Sequence, residues 1–162
     1  MGNIEHSPSR LLGLDTPRQT EPNPNSLQTA RQAAILLAYS GRDKREYLAA
    51  FLTSRDYDVT ACINGKEALA CVAIGCFDLV VTGIVMPCLD GLELLRALRR
   101  RHTGLPVIAM ADSADKINRV YLRCACLSGA VATHTFCETQ GPFLKSVEGI
   151  LRNEMMSRAS SV

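Results

Sequence analysis

From residue 34 onward, short apolar runs alternate with longer amphipathic stretches, five times over. A strand covered by helices on both faces reads as an unbroken apolar run, and parallel neighbours need a crossover of about a dozen residues. This alternation therefore leaves little room for any fold other than a parallel sheet with helices on its faces. The runs are Ala34 to Ala38, Tyr57 to Ala61, Leu79 to Thr82, Pro106 to Met110 and Ala130 to Thr133. After each, apolar residues return at helical spacing. Tyr47, Leu48, Phe51 and Leu52 mark a first helix, and Ala68, Leu69, Val72 and Ala73 a second that Gly75 can cap. Leu92, Leu94, Leu95 and Leu98 mark a third, and Ile117, Val120, Tyr121 and Cys124 line a fourth. Pro142 suits the first turn of a fifth, whose Leu144, Val147, Ile150 and Leu151 face inward. The expectation is an α/β, doubly wound five-stranded sheet with five helices.

Residues 1–33 have another texture. They hold Pro8, Pro17, Pro22 and Pro24, four of the seven prolines, among Ser, Thr, Asn and Gln, and read as a flexible N-terminal tail. The folded domain is expected over 34–154, with a C-terminal tail over 155–162 too short to build a second core, so the chain reads as a stand-alone domain. A composition of 47% hydrophobic and 21% charged residues excludes wholesale disorder. A formal charge of +2 gives no reason to expect nucleic acid or an anionic membrane as a partner. The basic run Arg99-Arg100-Arg101-His102 suits the C-terminus of the third helix, where cations meet the negative end of the dipole. With no apolar run near the roughly 18 residues of a membrane span and no signal-peptide core, the chain reads as cytoplasmic. The Met1-Gly2 start lacks the hydroxyl a myristoylation signal wants, since His6 stands there. Seven cysteines, an odd number without framework spacing, read as small hydrophobes rather than disulfides. Cys124, Cys126, His134 and Cys137 have the ligand types of a zinc site. The first two end the fourth helix while the others follow the fifth strand, about 15 Å away at strand rise, so no metal is expected there.

The segment Phe77-Asp78-Leu79-Val80-Val81-Thr82-Gly83-Ile84-Val85-Met86-Pro87-Cys88-Leu89-Asp90-Gly91-Leu92-Glu93-Leu94-Leu95 closely resembles the third strand and following loop of two-component response regulator receiver domains. Ile35-Leu36-Leu37, Asn64-Gly65-Lys66-Glu67-Ala68-Leu69, Leu105-Pro106-Val107-Ile108 and Ser128-Gly129-Ala130 agree at the expected places, so the resemblance covers about residues 34 to 152. It implies the flavodoxin-like doubly wound sheet of order 2-1-3-4-5, with function at the carboxyl ends of the strands. It also implies a chemistry. In that family a strand-three carboxylate accepts phosphoryl from a histidine kinase, two acids after strand one hold magnesium, a hydroxyl after strand four senses the phosphoryl group and a lysine after strand five pairs with it. Carried over residue by residue, the phosphoacceptor position falls on Gly83 and the acidic pair on Tyr39 and Ser40. The hydroxyl falls on Ala111, the lysine on Phe136, the strand-five aromatic on Thr133 and the proline after the lysine on Cys137. None of these keeps the family's residue.

Neighbouring acids offer no rescue. Asp78 opens strand three, five residues before Gly83 and roughly 16 Å away at strand rise, while Asp112 and Asp90 would still lack the lysine. The expectation is therefore no phosphorylation, no magnesium and no catalysis. Tyr39 and Phe136 are expected to meet where the acids would have been, and the Phe136–Cys137 peptide is expected to be trans. The resulting picture is a receiver-like domain of phosphorelay signalling that acts by protein–protein interaction, its partner a histidine kinase or another signalling protein. By resemblance the docking face is the fourth helix, fifth strand and fifth helix, with Arg119, Arg123, Thr133 and Lys145 as candidates, although such residues also suit a solvated surface. The alternatives are a decaying copy without function and a cysteine-based metal or redox module.

Overall fold

Three of the apolar runs are buried along their whole length and form the middle of one parallel sheet. In the computed structural model, which describes residues 31–102, 104–138 and 141–160, the strands are β1 (Ala34–Ala38), β2 (Asp58–Cys62), β3 (Leu79–Gly83), β4 (Val107–Ala111) and β5 (Ala132–Thr135). Their order is β2-β1-β3-β4-β5, with every neighbouring pair parallel. The expected N-terminal tail and the Met1-Gly2 start lie, up to residue 30, outside the described residues.

The helices are α1 (Arg42–Thr53), α2 (Gly65–Ile74), α3 (Gly91–Arg101), α4 (Lys116–Leu127) and α5 (Pro142–Ala159). Alternate residues of each strand serve opposite faces. Leu36, Ala38, Val80 and Ala109 meet α2 and α3 on one side, and Ile35, Leu37, Val81 and Ile108 meet α1 and α5 on the other. Side chains start three helices: Asn64 accepts the Glu67 amide, Asp90 and Glu93 form a reciprocal capping box, and Asp115 accepts the Asn118 amide.

Four expectations need correction. The fifth strand starts two residues later than the run Ala130 to Thr133 suggests, because the Ala130 amide closes the end of α4 on the Ala125 carbonyl. The C-terminal tail expected over 155–162 is helical as far as Ala159: no glycine or proline interrupts it, and Arg158 reaches back to Asp78 at 2.6 Å. Of the stripe that lines the fourth helix, Ile117, Val120 and Tyr121 point outward, the first two 67% and 57% exposed, and only Cys124 is half-buried. The helix buries Ala125 and half-buries Leu122 instead. Strand rise is also not what keeps the candidate zinc ligands apart. Cys126 Sγ lies 3.7 Å from Thr133 Oγ1, and what separates it from His134 is the sheet itself, whose alternation sends His134 to Ser146 of α5 at 2.9 Å.

Arg99 does more than face a helix dipole. Its guanidinium donates to the carbonyls of Leu105 and Gly129, at 2.8 and 3.1 Å, tying the end of α3 to the turn after α4. Among the described residues, no helix is long and apolar enough to cross a membrane.

Candidate functional site at the carboxyl edge of the sheet

Parallel strands end on one side, and the register brings residues distant in sequence to that edge. Ala38 lies beside Thr82, Gly83 beside Met110 and Ala111 beside Thr135, so Tyr39, Gly83, Asp112 and Phe136 sit at four adjoining strand ends. Next to Gly83, α3 begins unusually close. The Gly91 amide donates to the Ile84 carbonyl at 2.8 Å, and a Cβ on Gly91 would collide with the Gly83 carbonyl oxygen and lie 2.9 Å from Ile84 Cα. Only glycine allows that approach. The edge encloses a cavity of about 200 Å³ lined by Tyr39, Gly83, Ile84, Ala111, Asp112 and Asn118 among others.

Tyr39, 3% exposed, occupies the centre of this edge. Its ring stands so close to Gly83 that a Cβ there would meet two ring carbons at 3.2 Å. Its hydroxyl donates to Asp112 Oδ1 at 2.5 Å, and Lys44 Nζ from α1 approaches the same oxygen at 2.8 Å. The Lys44 ammonium lies 5.2 Å above the Phe136 ring, whose centroid is 6.4 Å from that of Tyr39 and 5.7 Å from that of Tyr47. A tyrosine, a carboxylate, an ammonium and two further rings thus form one continuous cluster. Burial pushes the Tyr39 phenol well above its ordinary range, and the Asp112 carboxylate that accepts its proton adds to the effect. Desolvation pushes the Asp112 carboxyl up, but the hydrogen bonds from Lys44 and Tyr39 outweigh it and hold the group below the usual carboxylate range.

A carboxyl whose pKa is depressed in the folded state stabilises the fold above its unfolded value, about 3.9, and loses that contribution as pH falls through the folded value. The stability advantage of the wild type over Asp112→Asn is therefore expected at neutral pH and should vanish in urea melts carried well below about pH 4. An advantage that persists in acid would show that the Asp112 contacts act otherwise.

The structure brings Tyr39, Gly83, Ala111 and Phe136 to one edge of the sheet, and Tyr39 meets Phe136. The Phe136–Cys137 peptide is trans. Ser40 turns away, its hydroxyl donating to the Val85 carbonyl at 3.1 Å. Thr133 is half-buried against α4, and Arg119, Arg123 and Lys145 are exposed. Sequence reasoning missed Lys44 altogether and saw in Asp112 only an acid without its lysine. Lys44 lies in the polar opening of α1, where no periodicity distinguishes it from Arg42 or Arg45.

A hard divalent cation such as magnesium asks for several oxygen ligands, usually with carboxylates among them. Among the described residues, Asp112 is the one acidic residue lining the cavity, and an ammonium already sits 2.8 Å from it. Among the described residues, no group of three or more His, Cys, Asp or Glu side chains is placed to hold a metal.

A doubly wound 2-1-3-4-5 sheet with a pocket at its carboxyl edge is the flavodoxin-like arrangement, which places a site where the strands end. The profile of the response regulator receiver domain matches residues 35–129, and the chain belongs to that family, whose setting is two-component signalling. It is similar to the sensor protein EvgS of Escherichia coli K12, 34% identical over 86 residues that make 53% of this chain and 7% of that protein. It is also similar to the response regulator MprA of Mycolicibacterium vanbaalenii, 38% identical over 86 residues, 53% of this chain and 37% of that one. The chain thus spans well under two thirds of either relative. Among solved structures, a receiver domain protein from Methanospirillum hungatei JF-1 superposes with a TM-score of 0.67 at 21% identity, over 78% of this chain and 98% of that one. The receiver domain of an HD domain-containing protein from Pseudomonas fluorescens Pf-5 gives 0.72 at 20% identity, over 80% and 93%. At these identities the structures attest the fold alone.

Proposed function

We propose that this receiver domain works without phosphorylation and without magnesium, as a protein-binding module held in one conformation by its own side chains. The observation that carries this reading is Tyr39. Its ring fills the space beside Gly83, and its hydroxyl binds a carboxylate already neutralised by Lys44. Phosphoryl transfer to a side chain needs an acceptor, a metal cage and a cation facing the transferring oxygens. Here glycine stands at the acceptor position, and the nearest carboxylate and ammonium are paired with each other.

The outward apolar residues of α4 support a docking role. Ile117, Val120 and Tyr121 are exposed on one helix face, with the basic side chains of Lys116, Arg119 and Arg123 beside them. An apolar centre with a charged rim is the anatomy of a partner surface. Lys145 of α5 and the half-buried Thr133 of β5 belong to the same candidate face by resemblance, and the partner is expected to be a histidine kinase or another signalling protein.

The test is thermal unfolding of the full chain with and without magnesium plus fluoroberyllate, a phosphoryl mimic. A ligand that binds only the native state raises the midpoint, so the expected result is no shift, and a clear upward shift would overturn the proposal. Gly83→Asp extends the test. Overpacking against Tyr39 is expected to lower the stability of that variant by about 1–3 kcal/mol without conferring fluoroberyllate binding. The penalty should shrink in a Tyr39→Ala background, a coupling that a double-mutant cycle in urea reads directly.

A further inference from the structure

Cys62, the last residue of β2, and Cys71 in α2 place their sulfurs 3.5 Å apart. Cys62 is buried and Cys71 half-buried, both against the core on the α2 and α3 side of the sheet, and neither lines the carboxyl-edge cavity. The connection between them is stiff. The Glu67 amide donates to Asn64 Oδ1 at 2.9 Å, while the Glu67 carboxylate accepts the Ile63 amide at 3.1 Å. A disulfide holds its sulfurs at about 2.05 Å, so closure asks for roughly 1.5 Å of approach shared between two side chains.

We propose that Cys62 and Cys71 are a reversible dithiol–disulfide site, oxidised by low-molecular-weight disulfides. Cys71 is the less buried residue of the two. It gives its proton to water, and its thiolate attacks one sulfur of the oxidant. The oxidant's S–S bond breaks, a mixed disulfide forms on Cys71 and the departing thiolate takes up a proton. Cys62 then loses its proton, and its sulfur displaces the second small thiolate from Cys71 Sγ, which is protonated in turn. The protein dithiol loses two electrons and two protons, and one small disulfide becomes two small thiols. The division of roles follows from burial. Desolvation, with the neighbouring Cys71 sulfur, pushes the Cys62 thiol up to about 12, which suits an internal second step and not the first attack.

The experiment equilibrates the reduced full chain with glutathione and glutathione disulfide at a series of ratios. It is then quenched with acid, unfolded and alkylated, and every cysteine is mapped by mass. Cys62 and Cys71 are expected to leave the alkylated pool together, as one cross-link lighter by two hydrogens. This should occur at a disulfide fraction about tenfold below that which modifies the exposed Cys76, Cys88, Cys126 and Cys137, because the second thiol is already in place. The proposal is overturned if Cys62 remains alkylatable while those four carry glutathione, or if Cys71 accumulates as a mixed disulfide beside a free Cys62. Cys71→Ser, a change on a half-buried helix position, should leave Cys62 reduced throughout. The oxidised wild type should unfold at a higher temperature than the reduced form, a shift that the serine variant does not show. Equal midpoints for the cross-linked and reduced wild type would likewise count against a built site.

Discussion

Tyr39→Ala is expected to lower the unfolding free energy by about 3–5 kcal/mol, the range for removing a buried aromatic side chain. The ring belongs to the core on the α1 and α5 side of the sheet and touches both Gly83 and Phe136, so its loss opens a cavity that glycine cannot fill from the opposite side. It also takes away the hydroxyl donor at 2.5 Å from Asp112. Tyr39→Phe separates the two contributions. It keeps the ring and removes one hydrogen bond to a charged acceptor, for which about 1.5–3 kcal/mol is expected. Urea melts of the wild type and both variants at neutral pH decide the matter. If Tyr39→Ala costs less than Tyr39→Phe, the ring is not the structural centre of this edge. The result bears on function too, because the proposed single conformation rests on this ring.

The other large effect lies at the opposite edge of the sheet. Asp78, just before β3, accepts the Ala34 amide through Oδ2 at 2.8 Å and the Arg158 guanidinium through Oδ1 at 2.6 Å. One carboxylate therefore ties the start of β1 to the last turns of α5. Asp78→Ala deprives a buried backbone amide of its acceptor and the chain of an ion pair, and is expected to cost about 2–4 kcal/mol. Arg158→Ala should cost under about 1 kcal/mol, since that side chain is 60% exposed. In Asp78→Ala, hydrogen exchange at the Ala34 amide should quicken together with exchange along the end of α5. Quickening at α5 alone would mean that the amide has found another acceptor.

The alternation of apolar runs and amphipathic stretches carried the fold because it is a local property: strand burial and helix periodicity are written in consecutive residues. Boundaries moved where backbone hydrogen bonds decided them, as at Ala130, which closes α4 instead of opening β5. The fourth helix misled for a related reason. Its Ile117, Val120, Tyr121 and Cys124 make a regular stripe, yet the first three stay exposed while Leu122 and Ala125 pack against the core, and periodicity alone does not say which stripe a sheet will cover. All seven cysteines read as small hydrophobes in the sequence. Only the structure sets two of their sulfurs 3.5 Å apart.

At the site, comparison of residue types with the family's pattern singled out Tyr39, Gly83, Ala111 and Phe136, and the first three follow or end strands whose positions were readable, whereas Phe136 follows β5, which the apolar run misplaced. What replaced the missing acids and lysine was not readable. Lys44 and Asp112 stand far apart in the chain, and their meeting at 2.8 Å depends on the crossover of α1 and on the strand order, which leaves only β3 between β1 and β4. The amino-acid sequence by itself determined that a parallel sheet forms, since burial patterns act over a few residues, and its resemblance to the family pointed to several of the residues at the carboxyl edge but not to Lys44. The tertiary structure alone decided that a tyrosine, an aspartate and a lysine close that edge together, because a charge finds its partner through packing and not through spacing.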